Sequence, residues 1–149
     1  MFTGARKMCK EVLNFTASCV PPKTTAQQKG VFILHGKPIY YKKASVRDAE
    51  NTFWEILKPA RTLLEKTLDM PICVNIELVY PHTKSTPKKY LESKLPMTTK
   101  PDVDNVVKSL LDVMTKMTFW RDDSLIYKLS ISKYRAKDPS LSIQIFSHC

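Results

Sequence analysis

The amino-acid sequence predicts an α/β protein of the α+β type, in which a small mixed sheet is covered on one face by two main helices. Apolar and polar residues alternate strictly across residues 72–80, which is typical of a strand. In residues 44–68 and 103–116, apolar residues recur at three- and four-residue steps, which predicts two amphipathic helices. Weaker strand patterns on either side give the order β-β-β-α-β-α-β-β. The 149 residues are expected to form one domain, residues 1–149.

Three short strands are expected before the first helix. Apolar and polar residues alternate across residues 13–19, and the polar residues 23–30 that follow are expected to form a loop. Residues 31–34 and 39–41 flank the run His35-Gly36-Lys37-Pro38, which is typical of a turn between two strands.

The later elements follow from the same periodicities. Pro59 lies inside the first helix and is expected to kink or divide it. Pro101 and Asp102 suit the approach and the N-cap of the second helix. Two final strands, at residues 125–131 and 141–145, are joined by a turn at residues 137–140. We therefore expect these two strands to form an antiparallel hairpin.

The charge balance indicates a polyanionic partner. The chain has 24 Lys and Arg against 14 Asp and Glu, a formal net charge of +10, which favours nucleic acid over a merely solubilising surface. No window reaches the ~18 apolar residues of a membrane span, and residues 1–10 lead into no signal-peptide core. A cytoplasmic protein with no membrane partner is expected. The Cys and His residues are scattered and do not have the spacing that is typical of a zinc site.

Residues 81–101 form a Lys- and Pro-rich loop with four prolines, five lysines and a single acid, Glu92. Loops longer than about 12 to 15 residues are usually functional or disordered. The segment is interpreted either as a flexible connector or as a basic flap that contacts DNA beside an active site. The candidate DNA-binding residues are Lys84, Lys88, Lys89, Lys94 and Lys100.

The acids after this loop indicate metal-assisted chemistry on a nucleic-acid backbone. Asp102 and Asp104 form a D-x-D motif across a helix start, and carboxylate oxygens are the ligands that Mg²⁺ prefers. The alternative for a bare D-x-D is helix capping. Lys108 lies one turn after Asp104, so it either meets a phosphate or forms an ordinary i,i+4 ion pair.

Two more acidic positions bear on the same site. Asp122 and Asp123 are expected to enter a strand with their side chains on opposite sides, so only one of them can readily reach the D-x-D motif. Asp112 lies two turns from Asp104, about 12 Å along the helix axis at ~1.5 Å per residue. It is interpreted as a supporting or surface acid.

These residues closely resemble the RusA family of Holliday-junction endodeoxyribonucleases of bacteria and their phages. The family pattern is basic/Pro-Asp-x-Asp-Asn-x-x-Lys, then Asp, then Trp-x-Asp-Asp and an apolar strand. The chain matches it with Lys100-Pro101-Asp102-Val103-Asp104-Asn105, Lys108, Asp112 and Trp120-Arg121-Asp122-Asp123. Clear resemblance covers residues 101–133, and a looser one begins at Pro21-Pro22.

The resemblance implies a RusA-like fold and a small Mg²⁺-dependent homodimer, with Mn²⁺ as a substitute ion. It implies cleavage of branched DNA, especially four-way junctions, in recombination and repair. It assigns the metal to Asp102, Asp104 and Asp123 and catalysis to these residues with Lys108. Asn105, Asp112 and Asp122 would support them.

Three other functions remain open at this point. The chain could be a nuclease for flaps or forks, or a catalytically silent DNA-binding module whose aspartates only cap a helix. A nucleotide-sugar transferase also uses D-x-D with a metal, but the short chain and the absence of a nucleotide-binding βαβ pattern disfavour it.

Overall fold

Seven strands and two α-helices follow one another along residues 9–23, 29–42 and 44–148, the part of the chain that this computed structural model describes. Most of the loop predicted at residues 23–30, and residues 1–8, where no signal-peptide core is expected, lie outside that part. The elements are β1 (Lys10–Ala17), β2 (Lys29–Leu34), β3 (Lys37–Lys42), α1 (Ala44–Thr62), β4 (Ile72–Pro81), β5 (Leu95–Pro96), α2 (Val103–Lys116), β6 (Ile126–Ala136) and β7 (Ser140–Ser147).

Five of the strands form one mixed sheet in the order β1-β7-β4-β6-β5. The β4–β6 pair is parallel, whereas the β1–β7, β7–β4 and β5–β6 pairs are antiparallel. Side chains on one face of β4, from Val74 to Tyr80, pack with Phe53 and Leu57 of α1 and with Leu110 of α2 in a single buried core. The predicted α+β class, a mixed sheet with two helices, is confirmed.

The predicted β6–β7 hairpin is wrong. The two strands are consecutive in the chain, but β4 lies between them and pairs with both. The connection at residues 137–139 is as short as a hairpin loop, which explains the expectation. The apolar β4 is buried along almost its whole length, so it occupies the centre of the sheet, with β6 on one edge and β7 on the other.

The first helix is shorter than predicted. It continues through Pro59 and ends at Thr62, so Pro59 does not divide it. Leu64 and Leu68 lie beyond the helix but are still buried in the core. The spacing of Leu64 and Leu68 therefore fits the helical pattern, although their backbone lies outside the helix. The second helix spans Val103–Lys116, as predicted.

The segment at 81–101 contains more secondary structure than a loop. It includes a single 3-10 turn at Lys88–Tyr90 and the two-residue strand β5, which pairs with β6. Met97 is buried, and its backbone N–H donates to the carbonyl of Lys133 at 3.0 Å. The segment is therefore fastened to the sheet close to the start of α2.

The β2–β3 hairpin, which comprises β2, β3 and the two residues between them, forms a second sheet of its own. His35 and Gly36 have φ angles of 50° and 74°, the left-handed backbone that a two-residue hairpin turn requires. Neither helix in the described part of the chain combines the length and apolar character needed to cross a membrane.

Candidate active site

Helix α2 places Asp104, Lys108 and Asp112 along one side at successive four-residue steps. The opposite side of the helix, including Val106, Leu110 and Val113, is buried in the core. Because residues four apart lie on the same face of an α-helix, burial of the apolar side leaves the three charged groups at the surface. The helix therefore positions one acid, one lysine and a second acid in a row along its exposed side.

Asp102 occupies the N-cap position of α2, but its side chain makes no capping hydrogen bond. Its backbone is extended, with φ −69° and ψ 137°, and its carbonyl accepts the Val106 N–H at 3.2 Å. The carboxylate instead pairs with Lys100, with Nζ and Oδ2 2.8 Å apart. The Asp102 carboxylate therefore does not cap the helix, which was the alternative explanation of the D-x-D motif.

The expectation that Asp122 and Asp123 enter a strand is wrong. Asp123 begins a single 3-10 turn, Asp123–Leu125, and β6 starts only after it. Asp122 is the N-cap of this turn, and its carboxylate accepts the Ser124 N–H at 3.4 Å. The two acids are therefore distinguished by capping rather than by strand alternation, and Asp122 is the one that stabilises the turn.

An open cavity of about 250 Å³ lies between α2 and β6. Three acidic residues and one lysine line it together with aliphatic side chains. Its lining residues are Asp104, Val107, Lys108, Leu111, Asp112, Asp123, Leu129 and Ile131. The fold therefore brings Asp123 to the charged side of α2, although 18 residues lie between it and Asp104 in the sequence. Asp112, interpreted from sequence as a supporting or surface acid, faces the same space.

The electrostatics of the cavity disfavour one of its negative charges. Partial burial raises the pKa of Asp123, and the neighbouring carboxyl groups of Asp122 and Asp112 raise it further. The pKa of Asp122 is lowered, chiefly because Ser124 donates hydrogen bonds to it. A carboxylate that is destabilised by other carboxylates is a place where a cation would be favoured.

The predicted triad is only partly assembled. Asp104 and Asp123 line the cavity, whereas Asp102 does not and is paired with Lys100. Among the described residues, no three His, Cys, Asp or Glu side chains are already arranged to hold a metal ion. The donor chemistry nevertheless fits a hard cation, because every acidic group here offers carboxylate oxygen and the cavity contains no sulfur or imidazole.

Lys108 lines the cavity as an exposed side chain. The ion pair with Asp104 that its spacing allowed is not among the contacts of the described residues. Lys108 thus lines the same cavity as the three acidic residues.

The candidate DNA-binding lysines differ in their surroundings. Lys94 pairs with Glu77 and lies 4.4 Å from the centre of the Tyr134 ring. Glu77 belongs to the open face, the side of the sheet opposite the helices, which Asn75, Ser130 and Ser132 also line. Lys89 lies over the Tyr90 ring at 4.9 Å, while Lys84 and Lys88 are exposed. Lys94 is therefore set apart from the cavity, and Lys100 is next to Asp102.

Sequence reasoning missed Lys133 and Arg135 of β6. Lys133 Nζ donates to the backbone carbonyls of Thr99 and Pro101, both at 2.6 Å. Arg135 donates to the carbonyl of Pro81 at 2.9 Å and to the Thr99 hydroxyl at 3.1 Å. The sequence does contain a signal for Lys133, because it follows Ile131 by two residues and so points to the same, helix-covered side of an alternating strand.

Comparison with known proteins identifies the family. Residues 20–146 match the family model described as Endodeoxyribonuclease RusA. The chain belongs to the RusA family of endodeoxyribonucleases. The sequence-based resemblance and the predicted nuclease activity are thereby confirmed. Four residues of the motif that carries this resemblance line the cavity, namely Asp104, Lys108, Asp112 and Asp123, whereas Asp102 does not.

Two curated relatives are similar to this chain. The protein named Crossover junction endodeoxyribonuclease rusA from Lactococcus phage r1t is 28% identical over 122 residues, which cover 82% of this chain and 88% of the phage protein. The Uncharacterized protein YqaN of Bacillus subtilis (strain 168) is 30% identical over 87 residues, 54% of this chain and 61% of that protein. The phage match thus spans most of both chains.

Proposed function

We propose that this RusA-family protein is a Mg²⁺-dependent endodeoxyribonuclease that cleaves branched DNA, with four-way junctions as its preferred substrate. The observation that supports it most is the cavity in which three carboxylates and Lys108 share one space on a strongly basic protein. The name of the phage relative, a crossover junction endodeoxyribonuclease, supports the choice of substrate. A role in recombination and repair within a bacterial or phage-infected cell follows from that substrate.

Asp102, Asp104 and Asp123 are the proposed metal ligands. Asp104 and Asp123 already face the cavity, and Asp102 would join them by exchanging its ion pair with Lys100 for the metal. When bound, Mg²⁺ or Mn²⁺ supplies an activated water and stabilises negative charge on the phosphate. The raised pKa of Asp123 supports its assignment, because the cation would relieve the repulsion from Asp122 and Asp112.

Lys108 is the proposed catalytic cation. The residue lines the same cavity as Asp104 and Asp123, so a phosphate at the metal would lie within reach of its ammonium group. Charge that develops on the phosphate in the transition state would be stabilised by a cation fixed in advance on a helix. Asn105 and Asp122 would support the ligands without binding the metal, and Asp112 would add negative potential to the cavity.

Cleavage assays with three DNA forms test this function. Purified protein is incubated with labelled four-way, forked and linear duplex DNA, each with Mg²⁺ and with EDTA. The proposal expects paired cuts in the four-way junction, weaker cutting of the fork, little cutting of linear DNA and none with EDTA. Equal cleavage of fork and junction would reassign the substrate, and binding without cleavage in Mg²⁺ would identify a silent DNA-binding module.

The exposed lysines of the 81–101 segment are expected to contact phosphates. Replacing Lys84, Lys88 and Lys89 with Ala should weaken binding to junctions of every sequence, because phosphate contacts carry no base information. Each lost contact should reduce the slope of log affinity against log salt by ~0.9. Binding is measured by salt titration without Mg²⁺. Lys94→Ala is the control, since its pairing with Glu77 on the open face predicts an unchanged slope. An unchanged slope in the triple variant would make the segment a plain connector.

A homodimer is proposed because two strands of a junction must be cut, and the β2–β3 hairpin supplies a surface for it. Val31, Ile33 and Tyr40 share one face of the hairpin and are 56%, 76% and 70% exposed. Phe32, Leu34 and Ile39 on the other face are also exposed. Contiguous apolar patches above a few hundred Å² mark interaction sites, and an isolated two-stranded hairpin is only marginally stable in water.

A second copy of the chain is the expected partner of this hairpin. An isologous contact would bury the same patch on both copies, in line with the two-fold symmetry that paired cuts require.

Substitution within the hairpin should separate the two copies. Ile33→Asp with Tyr40→Asp places charge on its most exposed face and should convert a dimer into a monomer, measured by light scattering after size exclusion. Leu63→Asp, at a position 59% exposed outside the hairpin, should leave the dimer intact. A parent chain that is monomeric, or a dimer that survives both hairpin substitutions, contradicts the proposed interface.

A further inference from the structure

Two distant parts of the chain have to meet to form the cavity. Asp102 and Asp104 lie at the start of α2, whereas Asp123 belongs to the turn that leads into β6. Leu129 and Ile131 of β6 contribute the aliphatic floor beneath the charged side of α2. The separation of the acidic groups therefore depends on how the start of α2 is held against β6.

Lys133 connects these two parts directly. It follows Leu129 and Ile131 at the next two-residue step of β6, so it points to the helix-covered side of the sheet. Its ammonium group donates to the carbonyls of Thr99 and Pro101. Pro101 directly precedes Asp102 in the chain. The Met97 N–H in turn donates to the Lys133 carbonyl, so one residue holds the segment through its side chain and its backbone.

The surroundings of Lys133 explain why this contact is specific. A charged ammonium group forms shorter and stronger hydrogen bonds to carbonyls than a neutral donor does. Arg135 anchors the Thr99 hydroxyl from the neighbouring inward position, so the segment is gripped at two points. Partial burial lowers the pKa of Lys133, whereas the negative charge of Asp102 acts in the opposite direction.

We infer that Lys133 is a positioning residue of the metal site, which sets where Asp102 lies relative to Asp104 and Asp123. The inference rests on the proposed metal-dependent cleavage and adds a residue to it. Lys133 would act by holding the segment and not by binding the metal or the phosphate, since two of its three N–H donors go to backbone carbonyls. Residues that orient metal ligands typically change metal affinity by 10- to 100-fold when they are replaced.

Lys133→Met tests this inference because it keeps the length of the side chain and removes the donors. The Mg²⁺ concentration at half-maximal junction cleavage should rise by about 10-fold, while the rate at saturating Mg²⁺ should stay within about threefold of the parent. Direct Mn²⁺ binding, measured by calorimetry without DNA, should weaken to the same degree. Lys133→Arg keeps a cationic donor and should restore most of the affinity for Mn²⁺.

Lys128→Met is the matched control, with the same substitution on an exposed residue of the same strand. It should leave the Mg²⁺ midpoint and Mn²⁺ binding unchanged. If Lys133→Met does not fold, Lys133→Gln, which keeps a neutral amide NH2 group in place of the ammonium, takes its place with the same readouts. A Mg²⁺ midpoint within twofold of the parent, or a lower rate at saturating Mg²⁺ with an unchanged midpoint, overturns the inference. A parent protein that neither binds Mn²⁺ nor cuts DNA would instead overturn the proposed function.

Discussion

Asp102→Asn, Asp104→Asn and Asp123→Asn are each expected to abolish DNA cleavage. Each replaces an anionic ligand with a neutral side chain of almost the same shape, so a lost activity reports on charge and not on packing. Binding to junction DNA should persist or tighten, because a negative charge near the phosphate has been removed. Cleavage and gel-shift assays on the same preparations measure the two effects, and normal cleavage by any one variant removes that residue from the site.

Asp122→Asn is the nearest control for Asp123→Asn. Asp122 caps the 3-10 turn through Ser124, so its replacement should cost some stability but retain most of the cleavage rate. An inactive Asp122→Asn beside an active Asp123→Asn would shift the metal ligand by one residue.

Asp123→Asn should also raise the melting temperature of the metal-free protein at neutral pH. The pKa of Asp123 is raised in the folded chain, so its ionised form opposes folding and its removal stabilises. The gain should vanish as the pH falls below the ordinary aspartate value of ~3.9, where the parent carboxyl is protonated as well. A melting temperature lower than that of the parent at pH 7 would contradict the repulsion described for the cavity.

Lys108→Ala is expected to reduce the cleavage rate by on the order of 10²-fold or more, the usual loss when a cation or donor that stabilises the transition state is removed. The side chain is exposed, and a surface ion pair contributes at most ~1 kcal/mol. The melting temperature should therefore stay close to that of the parent. Lys108→Arg keeps the charge but not the compact ammonium geometry, so it should rescue only part of the rate.

Lys116→Ala is the matched control for Lys108→Ala. Lys116 lies on the same helix, is exposed, and pairs with Glu50 at 3.6 Å, away from the cavity. It should cut junctions at the parent rate and show a comparable melting temperature. If Lys108→Ala also cuts at the parent rate, the aspartates alone carry the site.

The parts of the fold that depend on local periodicity could be predicted from the sequence. Helix α2 was predicted over the residues it occupies, because its apolar stripe and the D-x-D motif at its start mark both its buried side and its beginning. The same periodicity placed Asp104, Lys108 and Asp112 on one surface. What it could not give was the arrival of Asp123 at that surface, which depends on the docking of α2 against β6.

Most of the failures share a cause, because they depend on contacts between residues distant in sequence, whereas the missed turn is local and too short. A three-residue connection between two apolar strands resembles a hairpin unless a third strand competes for both edges, and β4 does so. The 3-10 turn at Asp123–Leu125 is one turn long, too short to leave a periodic signal. Lys133 resembled an ordinary surface lysine of a strand, because its two carbonyl partners lie more than thirty residues earlier.

The position of β4 between two strands that are consecutive in the chain sets the order in which the molecule can open. β4 cannot leave the sheet unless the hydrogen bonds on both of its edges break together. Its amide protons should therefore be among the last to exchange with solvent, and those of the β2–β3 hairpin among the first. The aliphatic floor of the cavity belongs to β6, which pairs with this slowly exchanging strand. The segment before α2, in contrast, is held against β6 by the short strand β5 and a few side-chain hydrogen bonds. Fluctuations should therefore move Asp102 while Leu129 and Ile131 stay in place.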